Sequence, residues 1–265
     1  MNYSARNIII PVIFMLLILS GCGRVITTEE FLQSYKVRSG TILEIFNPNG
    51  DVTVVGWDQD NVEIRAVKES THGQSALEEV EIFIDIAETM TIRTDHPGQP
   101  TDVTVKYDIK IPADITVNHI ECSNGNINLV GVTGNPWLAT SNGTISAQEI
   151  NGIVTARSSN GDISVIGARS LGGLSTSNGN IEAEVRLLHD DLEIRTSNGT
   201  ITLHVAQSVE ADFAAETSNG SITISNLNFD SVDLKQNSLV GVMNGGGNSI
   251  RLNTSNGAID LLVLR

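Results

Sequence analysis

Aromatic residues are scarce in this chain and make up 4% of its 265 residues, while hydrophobic residues together reach 40%. A core must therefore be built mainly from valine, isoleucine, leucine and alanine. Cysteine is scarcer still, since Cys22 and Cys122 are the only two. If Cys22, which ends the apolar run at the N-terminus, is lipidated, no intrachain disulfide is possible, and packing has to stabilise the fold.

Basic residues are also few, with 16 Lys and Arg against 31 Asp and Glu and a net charge of −15. Such a balance keeps a protein soluble and argues against nucleic acid or anionic lipid headgroups as partners. The sequence also lacks long hydrophobic runs after its first twenty residues.

The N-terminus has the pattern of a lipoprotein signal peptide. In "MNYSARNIIIPVIFMLLILSGC", Arg6 precedes an apolar run that is short for a bilayer span and ends at Leu19-Ser20-Gly21-Cys22. This tetrapeptide resembles the bacterial lipobox, so residues 1–21 are predicted to be removed and Cys22 to be lipidated, which attaches the protein to a membrane. Gly23 after Cys22 implies outer-membrane sorting if the host has an outer membrane. Residues 22–37 are predicted to be a lipid-anchored tether.

The phrase Ser-Asn-Gly recurs through the second half of the chain. Its asparagines are Asn124, Asn142, Asn160, Asn178, Asn198, Asn219 and Asn256. Successive copies are 18, 18, 18, 20, 21 and 37 residues apart, and a period of 18–21 residues is typical of solenoids. Halfway along the last interval, Gln236-Asn237 resembles a worn copy that lacks its glycine.

Side chains alternate on both sides of the repeated turn. Counting each asparagine as position 0, position +3 is isoleucine in all seven copies, and positions −4 and +5 are aliphatic. Two half-buried strands should therefore flank each turn. Asn-Gly also marks β-hairpins, but continued alternation through −4, −2 and 0 predicts that the asparagine faces inward, which a chain of hairpins does not explain.

The predicted fold is all-β: a single-stranded parallel β-helix, or β-solenoid, with an inward asparagine ladder that bonds from rung to rung. A right-handed path is favoured, because parallel crossovers overwhelmingly are right-handed. Glycine at +1 is expected to make the bend. These turn glycines are Gly125, Gly143, Gly161, Gly179, Gly199, Gly220 and Gly257.

The chain is predicted to divide into a regular solenoid over 119–265 and an irregular β entry region, or cap, over 38–118. "ILEIFNPNGDVTVVGW" has the pattern of an early coil with its turn at Asn49-Gly50. The succession of "NPNGDVTVVGWDQDNVEIRAVK", "VTVKYDIKIPADI" and serial "SNGxI" units resembles the bacterial adhesin-type β-solenoid family, a domain of unknown function numbered 4097. The resemblance covers about residues 38–265. It implies the fold and an adhesive or binding role, and it carries over no catalytic residues.

A candidate binding face follows from the outward columns +2 and +4. It contains acids, amides and hydroxyls: Asp162, Asn180, Glu182, Thr200 and Thr202. Sugars or a protein partner could bind to such a surface. The alternative is an ordinary solvent-exposed face without a ligand, which has the same composition. No catalytic residue, metal site or cofactor is predicted, because acids are scattered and the histidines lack ligand spacing.

Three functions remain open from the sequence. The first is a lipid-anchored cell-envelope protein whose solenoid is a non-catalytic scaffold for binding or adhesion, with an envelope protein or glycan as partner. The second is an envelope enzyme acting on polysaccharides, and the third is an accessory or sensor protein that binds another envelope protein. Because the chain ends in the apolar strand 258–265, we also expect an open edge that another segment or a second copy covers.

Overall fold

A computed structural model describes residues 26–96 and 103–264, and most of these residues lie in β-strands. The predicted signal peptide, Cys22 and Gly23 lie outside the described residues. Within the described part, no helix has the length and apolarity needed to cross a bilayer.

The entry region contains long strands and one short helix. They are β1 (Thr27–Tyr35), β2 (Ile42–Asn49), β3 (Val52–Trp57), β4 (Val62–Ser70), α1 (Gln74–Glu78), β5 (Glu81–Ile86), β6 (Thr89–Asp95) and β7 (Val103–Pro112). The five regular coils that follow contribute two strands each. These are β8 (Thr116–Asn124), β9 (Ile127–Val130), β10 (Trp137–Asn142), β11 (Ile145–Gln148), β12 (Ile153–Asn160), β13 (Ile163–Ile166), β14 (Ser170–Ser175), β15 (Ile181–Val185), β16 (Leu192–Asn198) and β17 (Ile201–Val205).

Two further coils and a hairpin complete the chain. They consist of β18 (Ala211–Asn219), β19 (Ile222–Ser225), β20 (Ser231–Leu234), β21 (Ser238–Met243), β22 (Asn248–Asn256) and β23 (Ile259–Val263). Each coil gives the strand before its Asn-Gly corner to one sheet and the strand after it to the other. We call the eleven-stranded sheet, ordered β1-β4-β7-β3-β9-β11-β13-β15-β17-β23-β19, sheet A. Sheet B has twelve strands in the order β5-β6-β2-β8-β10-β12-β14-β16-β22-β18-β21-β20.

The pairing is parallel from coil to coil, as the repeat predicts. Ile145, for example, lies between Ile127 and Ile163 in sheet A. All seven isoleucines of position +3 are buried, with exposed fractions of 6% or less. Because a lone coil cannot bury its own apolar face, this stacking of like residues is what stabilises the solenoid.

The entry region extends both sheets. The early coil predicted at Asn49-Gly50 is present: Asn49 pairs with Asn124, and β3 pairs with β9 in parallel. The tether predicted over 22–37 is wrong for Thr27–Tyr35, which forms β1 and pairs antiparallel with β4 along all nine residues. Phe31 holds this strand in place because its side chain packs into the core with 8% exposure.

The asparagine ladder runs along the corner between the sheets. Asn142 Nδ2 donates to Asn124 Oδ1 at 2.8 Å, and Asn178 Nδ2 donates to Asn160 Oδ1 at the same distance. The predicted inward orientation is wrong, because the side chains at position 0 are exposed. Alternation holds as far as position −2, and the chain then reaches the corner, where the asparagine lies beyond the edge of the core.

The buried polar column is therefore position −2. Each hydroxyl there donates to the corner-glycine carbonyl of the adjacent coil, as Thr140 Oγ1 does to Gly125 O at 3.0 Å. The glycines are needed for close approach between coils: a Cβ on Gly161 would lie 2.0 Å from Gly143 O. Three sets of contacts therefore join adjacent coils at the corner: those of the hydroxyls at −2, those of the asparagine amides, and the close approach of the glycine backbones.

The last coil is inserted into the stack instead of ending it. β22 lies between β16 and β18, and β23 lies between β17 and β19. The open C-terminal edge expected for strand 258–265 is therefore wrong for Ile259–Val263, which is paired along both sides. The worn coil expected at Gln236-Asn237 is wrong as well, because this dipeptide connects β20 and β21, an antiparallel hairpin that extends sheet B beyond β18.

Candidate binding face on sheet B

The binding face predicted from columns +2 and +4 lies on sheet A and its corner. Register places Glu182 beside Thr202. Asp162 and Asn180 serve the corner itself: Asp162 Oδ1 accepts from the Asn180 backbone N–H at 2.7 Å, and Asn180 Oδ1 accepts from that of Thr200 at 2.9 Å. Because the Asp162 and Asn180 side chains hold adjacent coils together, these two are poorly placed to bind a ligand.

A groove of about 790 Å³ lies instead on the outer face of sheet B. It crosses β12, β14, β16, β22 and β18 and reaches the hairpin of β20 and β21 at Asn237 and Ser238. Serines of position −1 line it: Ser177, Ser197, Ser255 and Ser218. We call it the serine groove.

Alternation explains the composition of the serine groove. Positions −4 and −2 enter the core, so positions −5, −3 and −1 of the same strands point outward. Serine recurs at −1 because it is part of the Ser-Asn-Gly phrase, and position −3 supplies Arg157, Ser175, Arg195, Asn253 and Glu216. The sequence therefore contains a signal for this face in the strand that precedes each turn, whereas the outward columns +2 and +4 belong to the strand that follows it.

Two arginines give the serine groove its cationic groups. Arg157 and Arg195 are both exposed and lie two coils apart, roughly 10 Å at the usual strand spacing. Arg195 Nη1 lies 3.9 Å from Glu193 Oε1, while Arg157 has no ion-pair partner among residues 26–96 and 103–264. Glu216 at the far end is the one carboxylate in the lining. The groove thus offers hydroxyls, amides and guanidinium donors to a ligand.

Titratable groups with displaced pKa values lie away from the serine groove. Burial raises the pKa of the Cys122 thiol to about 12, and the nearby carboxylates of Asp51 and Glu121 add to the effect. The Asp191 carboxylate accepts from the Ser249 backbone N–H at 2.7 Å, which lowers its pKa. Among the described residues, no group of three or more His, Cys, Asp or Glu side chains is placed to hold a metal ion.

The fold and its outer face define a β-solenoid with two strands per coil and a polar groove along one sheet. The model of the Toastrack DUF4097 family matches residues 36–262, and the chain belongs to this family. This confirms the family that the sequence resembles.

Solved structures with similarity to the chain come from species of Clostridium, Bacteroides and Parabacteroides. A "putative cell adhesion protein" from Clostridium sporogenes is 13% identical with a TM-score of 0.38, and the alignment covers 90% of this chain and 100% of that one. A "putative adhesin" from Bacteroides fragilis is 8% identical with a TM-score of 0.38, covering 88% and 97%. Another from Parabacteroides distasonis is 12% identical with a TM-score of 0.39 and the same coverage. No curated protein matches the sequence.

Proposed function

We propose that this protein is a lipid-anchored component of the bacterial envelope whose solenoid, with a right-handed coil path, is a non-catalytic binding scaffold. The serine groove is the observation that carries the proposal. It presents side chains from five adjacent parallel strands in one continuous polar surface, which suits an extended ligand.

The chemistry of the serine groove favours binding over glycan hydrolysis. Most glycoside hydrolases need two carboxyl groups on opposite sides of the scissile bond. Glu216 is the one acid in the groove lining, and Asp162, an acid of the outward column +2, accepts a backbone N–H at the corner.

The proposed anchor lies at one end of the scaffold. Residues 23–26 separate Cys22 from β1, so the lipidated cysteine would lie within roughly 18 Å of the first strand, even with an extended backbone. The serine groove starts at β12, the sixth strand of sheet B counted from β5. At about 4.8 Å per strand, it begins roughly 24 Å from the entry end of the stack and extends away from it. The proposed anchor would thus attach at the entry end of the stack, away from most of the groove.

The anchor is tested by metabolic labelling with palmitate in cells that express the full-length protein. We expect label and membrane association in the wild type, loss of both in Cys22→Ala, and outer-membrane fractionation in a host with two membranes. Equal labelling of the variant would overturn the anchor.

The scaffold is tested by crosslinking the detergent-solubilised protein in envelope extract, followed by isolation of bound glycans and proteins. Arg157→Ala/Arg195→Ala should lose the specific partner, while the exposed control Lys36→Ala, on the entry side of the molecule, should keep it. Identical recoveries would remove the serine groove from the proposal. Recovery of one envelope protein and no glycan would support the accessory or sensor role.

A further inference from the structure

Aromatic rings and one guanidinium form a line on the outer face of sheet B, in the coils nearest the N-terminus. Its members come from β5, β6, β2, β8 and β10, which are consecutive strands of the sheet. We call this line the aromatic track, and it consists of Phe83, Arg93, Phe46, His119 and Trp137.

Successive members of the aromatic track are neighbours across the sheet, and most of them are in direct contact. Arg93 Cζ lies 5.1 Å from the centroid of the Phe83 ring, and Arg93 is also the register partner of Phe46. The Phe46 and His119 ring centroids are 5.0 Å apart with planes tilted by 32°, and those of His119 and Trp137 are 4.7 Å apart with a 33° tilt. Such contacts fix the rings in place before any ligand binds.

The ends of the aromatic track are exposed and its middle rings, Phe46 and His119, are half-buried, although aromatic residues are rare in this chain. Phe83 is 41% exposed and Trp137 is 37% exposed, in a protein with 6 Phe, 3 Tyr and 2 Trp. The core of the regular coils is aliphatic, so these rings contribute little to the repeat that stabilises the solenoid. Large apolar groups that lie together at the surface often mark a site of interaction.

Polar groups flank the aromatic track. Asn118, the extra residue of a β-bulge opposite Leu43 and Glu44, donates to Glu44 Oε1 at 2.9 Å. His119 Nε2 lies 3.3 Å from Glu121 Oε2. Carboxylate and amide groups therefore lie beside the rings, within reach of a ligand stacked on them.

The aromatic track leads directly into the serine groove. Trp137 pairs with Thr155, and Arg157 lies two residues further along β12 on the same outward face. The first arginine of the groove is thus a diagonal neighbour of the last ring of the track. Together they form one surface that runs across ten consecutive strands, from β5 to β18.

We propose that this surface binds an extended glycan, with a sugar ring stacked on Trp137 and hydroxyl groups bound by Arg157 and the serines. A pyranose ring has an apolar C–H face and a rim of hydroxyls, which matches a ring with hydrogen-bonding groups at its sides. The inference rests on the proposed binding scaffold and names the ligand class of that same face.

A protein partner fits this surface less well. Protein interfaces have an apolar core with a polar rim, whereas the outward positions −5, −3 and −1 of β12, β14, β16 and β22 contain no aliphatic side chain. The rings of the aromatic track form one row, and a row can follow a single glycan chain.

Tryptophan fluorescence provides a direct test, since the chain has only Trp57 and Trp137. In the detergent-solubilised full-length protein, Trp57→Phe leaves Trp137 as the sole reporter. We would titrate this variant with cellohexaose, chitohexaose and hexagalacturonate, which separate neutral, acetamido and anionic sugars. We expect a saturable change in Trp137 emission with at least one of them.

Variants then assign the site by calorimetry with the responding oligosaccharide. Trp137→Ala should weaken binding about tenfold or more, and Phe46→Ala should also weaken it. Trp137→Phe, which keeps a ring, should retain part of the affinity, and the exposed control Leu32→Ala on sheet A should bind like the wild type. Unchanged thermal melting of each variant would show that folding is intact.

The glycan inference is overturned if no probe alters Trp137 emission at millimolar concentration, or if Trp137→Ala binds as tightly as the wild type. If a protein is instead captured by the wild type and lost by Trp137→Ala, the glycan inference fails while the binding scaffold stands. If neither glycan nor protein depends on this face, both proposals fail.

Discussion

Asn256 Nδ2 donates to Asn198 Oδ1 at 2.8 Å, across 58 residues of sequence. Asn219 Nδ2 in turn donates to Asn256 Oδ1 at 2.9 Å. The last coil of the chain therefore lies between two coils that precede it, and its asparagine continues the ladder at that place. A solenoid that ends in this way keeps its C-terminal strands away from the exposed end of the stack.

The inserted coil makes the C-terminus important for stability. Leu261 in β23 is fully buried between Leu203 and Ile224. We expect Leu261→Ala to lower the free energy of unfolding by about 2–5 kcal/mol, because a large buried side chain is lost between two coils. Urea unfolding followed by circular dichroism measures this. The neighbouring control Leu262→Ala, which is half-buried, should cost less than half as much, and equal costs would contradict an interior last strand.

The asparagine ladder should contribute modestly, since its amides are exposed. Asn178 donates to Asn160 and accepts from Asn198. Asn178→Ala removes both bonds, and we expect the free energy of unfolding to fall by about 1–2 kcal/mol. The same unfolding experiment on Ser177→Ala, at the adjacent outward position, should show almost no change. A loss above about 4 kcal/mol would indicate that the amide is buried after all.

The corner glycines should tolerate no side chain. A Cβ at Gly161 would overlap Gly143 O, so Gly161→Ala is expected to cost at least about 3 kcal/mol or to prevent folding. Gly40, with φ +80° and nothing within 4 Å of an added Cβ, separates the conformational cost from the steric one. Gly40→Ala should cost about 1–2 kcal/mol. Thermal melting of both variants tests this, and a similar loss in the two would show that backbone conformation alone explains the repeat.

Burial of the Cys122 thiol should make stability fall at high pH. The pKa of Cys122 rises from an ordinary 9.0 to about 12 in the folded protein, so the folded state favours the protonated thiol. The stability that depends on the protonated thiol is fully present below pH 9 and is lost as pH rises toward 12. Between pH 9 and 11 about one proton is taken up at this thiol on folding. The free energy of unfolding should therefore decline by up to about 1.4 kcal/mol per pH unit because of Cys122.

Cys122→Ala isolates that contribution, because all other ionisable groups are the same in both proteins. Urea unfolding from pH 8 to 11 should show a smaller decline in the variant. Parallel slopes would refute the assignment. As a second measure, a thiol reagent should react with the native wild type far more slowly than with the urea-unfolded protein.

Much of the fold is readable from the chain because each coil repeats one pattern. The isoleucines at +3 and the hydroxyls at −2, such as Ile145 and Thr140, sit in the predicted columns and are buried. The early coil predicted at Asn49-Gly50 is also confirmed. The orientation of Asn142 was predicted wrongly, because alternation describes a straight strand and ceases to apply where the chain turns the corner.

The binding face was harder to predict. The serines at −1 are evident in the sequence as a repeated outward column. Which outward column faces a groove, however, depends on the curvature of the sheet. Phe83, Phe46 and His119 occupy dissimilar places in the sequence and belong to no common column. They meet only because β5, β6, β2 and β8 are consecutive in sheet B.

The sequence by itself determined the period, the buried columns and the family of the protein, since every coil contacts its neighbours through the same residues. Only the tertiary structure decided the order of the coils. The isoleucine layers of β17, β19 and β23 are nearly equivalent, so their side chains do not specify which coil follows which. The hairpin of β20 and β21 pairs with one edge of β18. The last coil pairs with the opposite edge of β18 and lies next to β16. Long-range pairing of this kind depends on how whole elements fit together, and local sequence does not encode it.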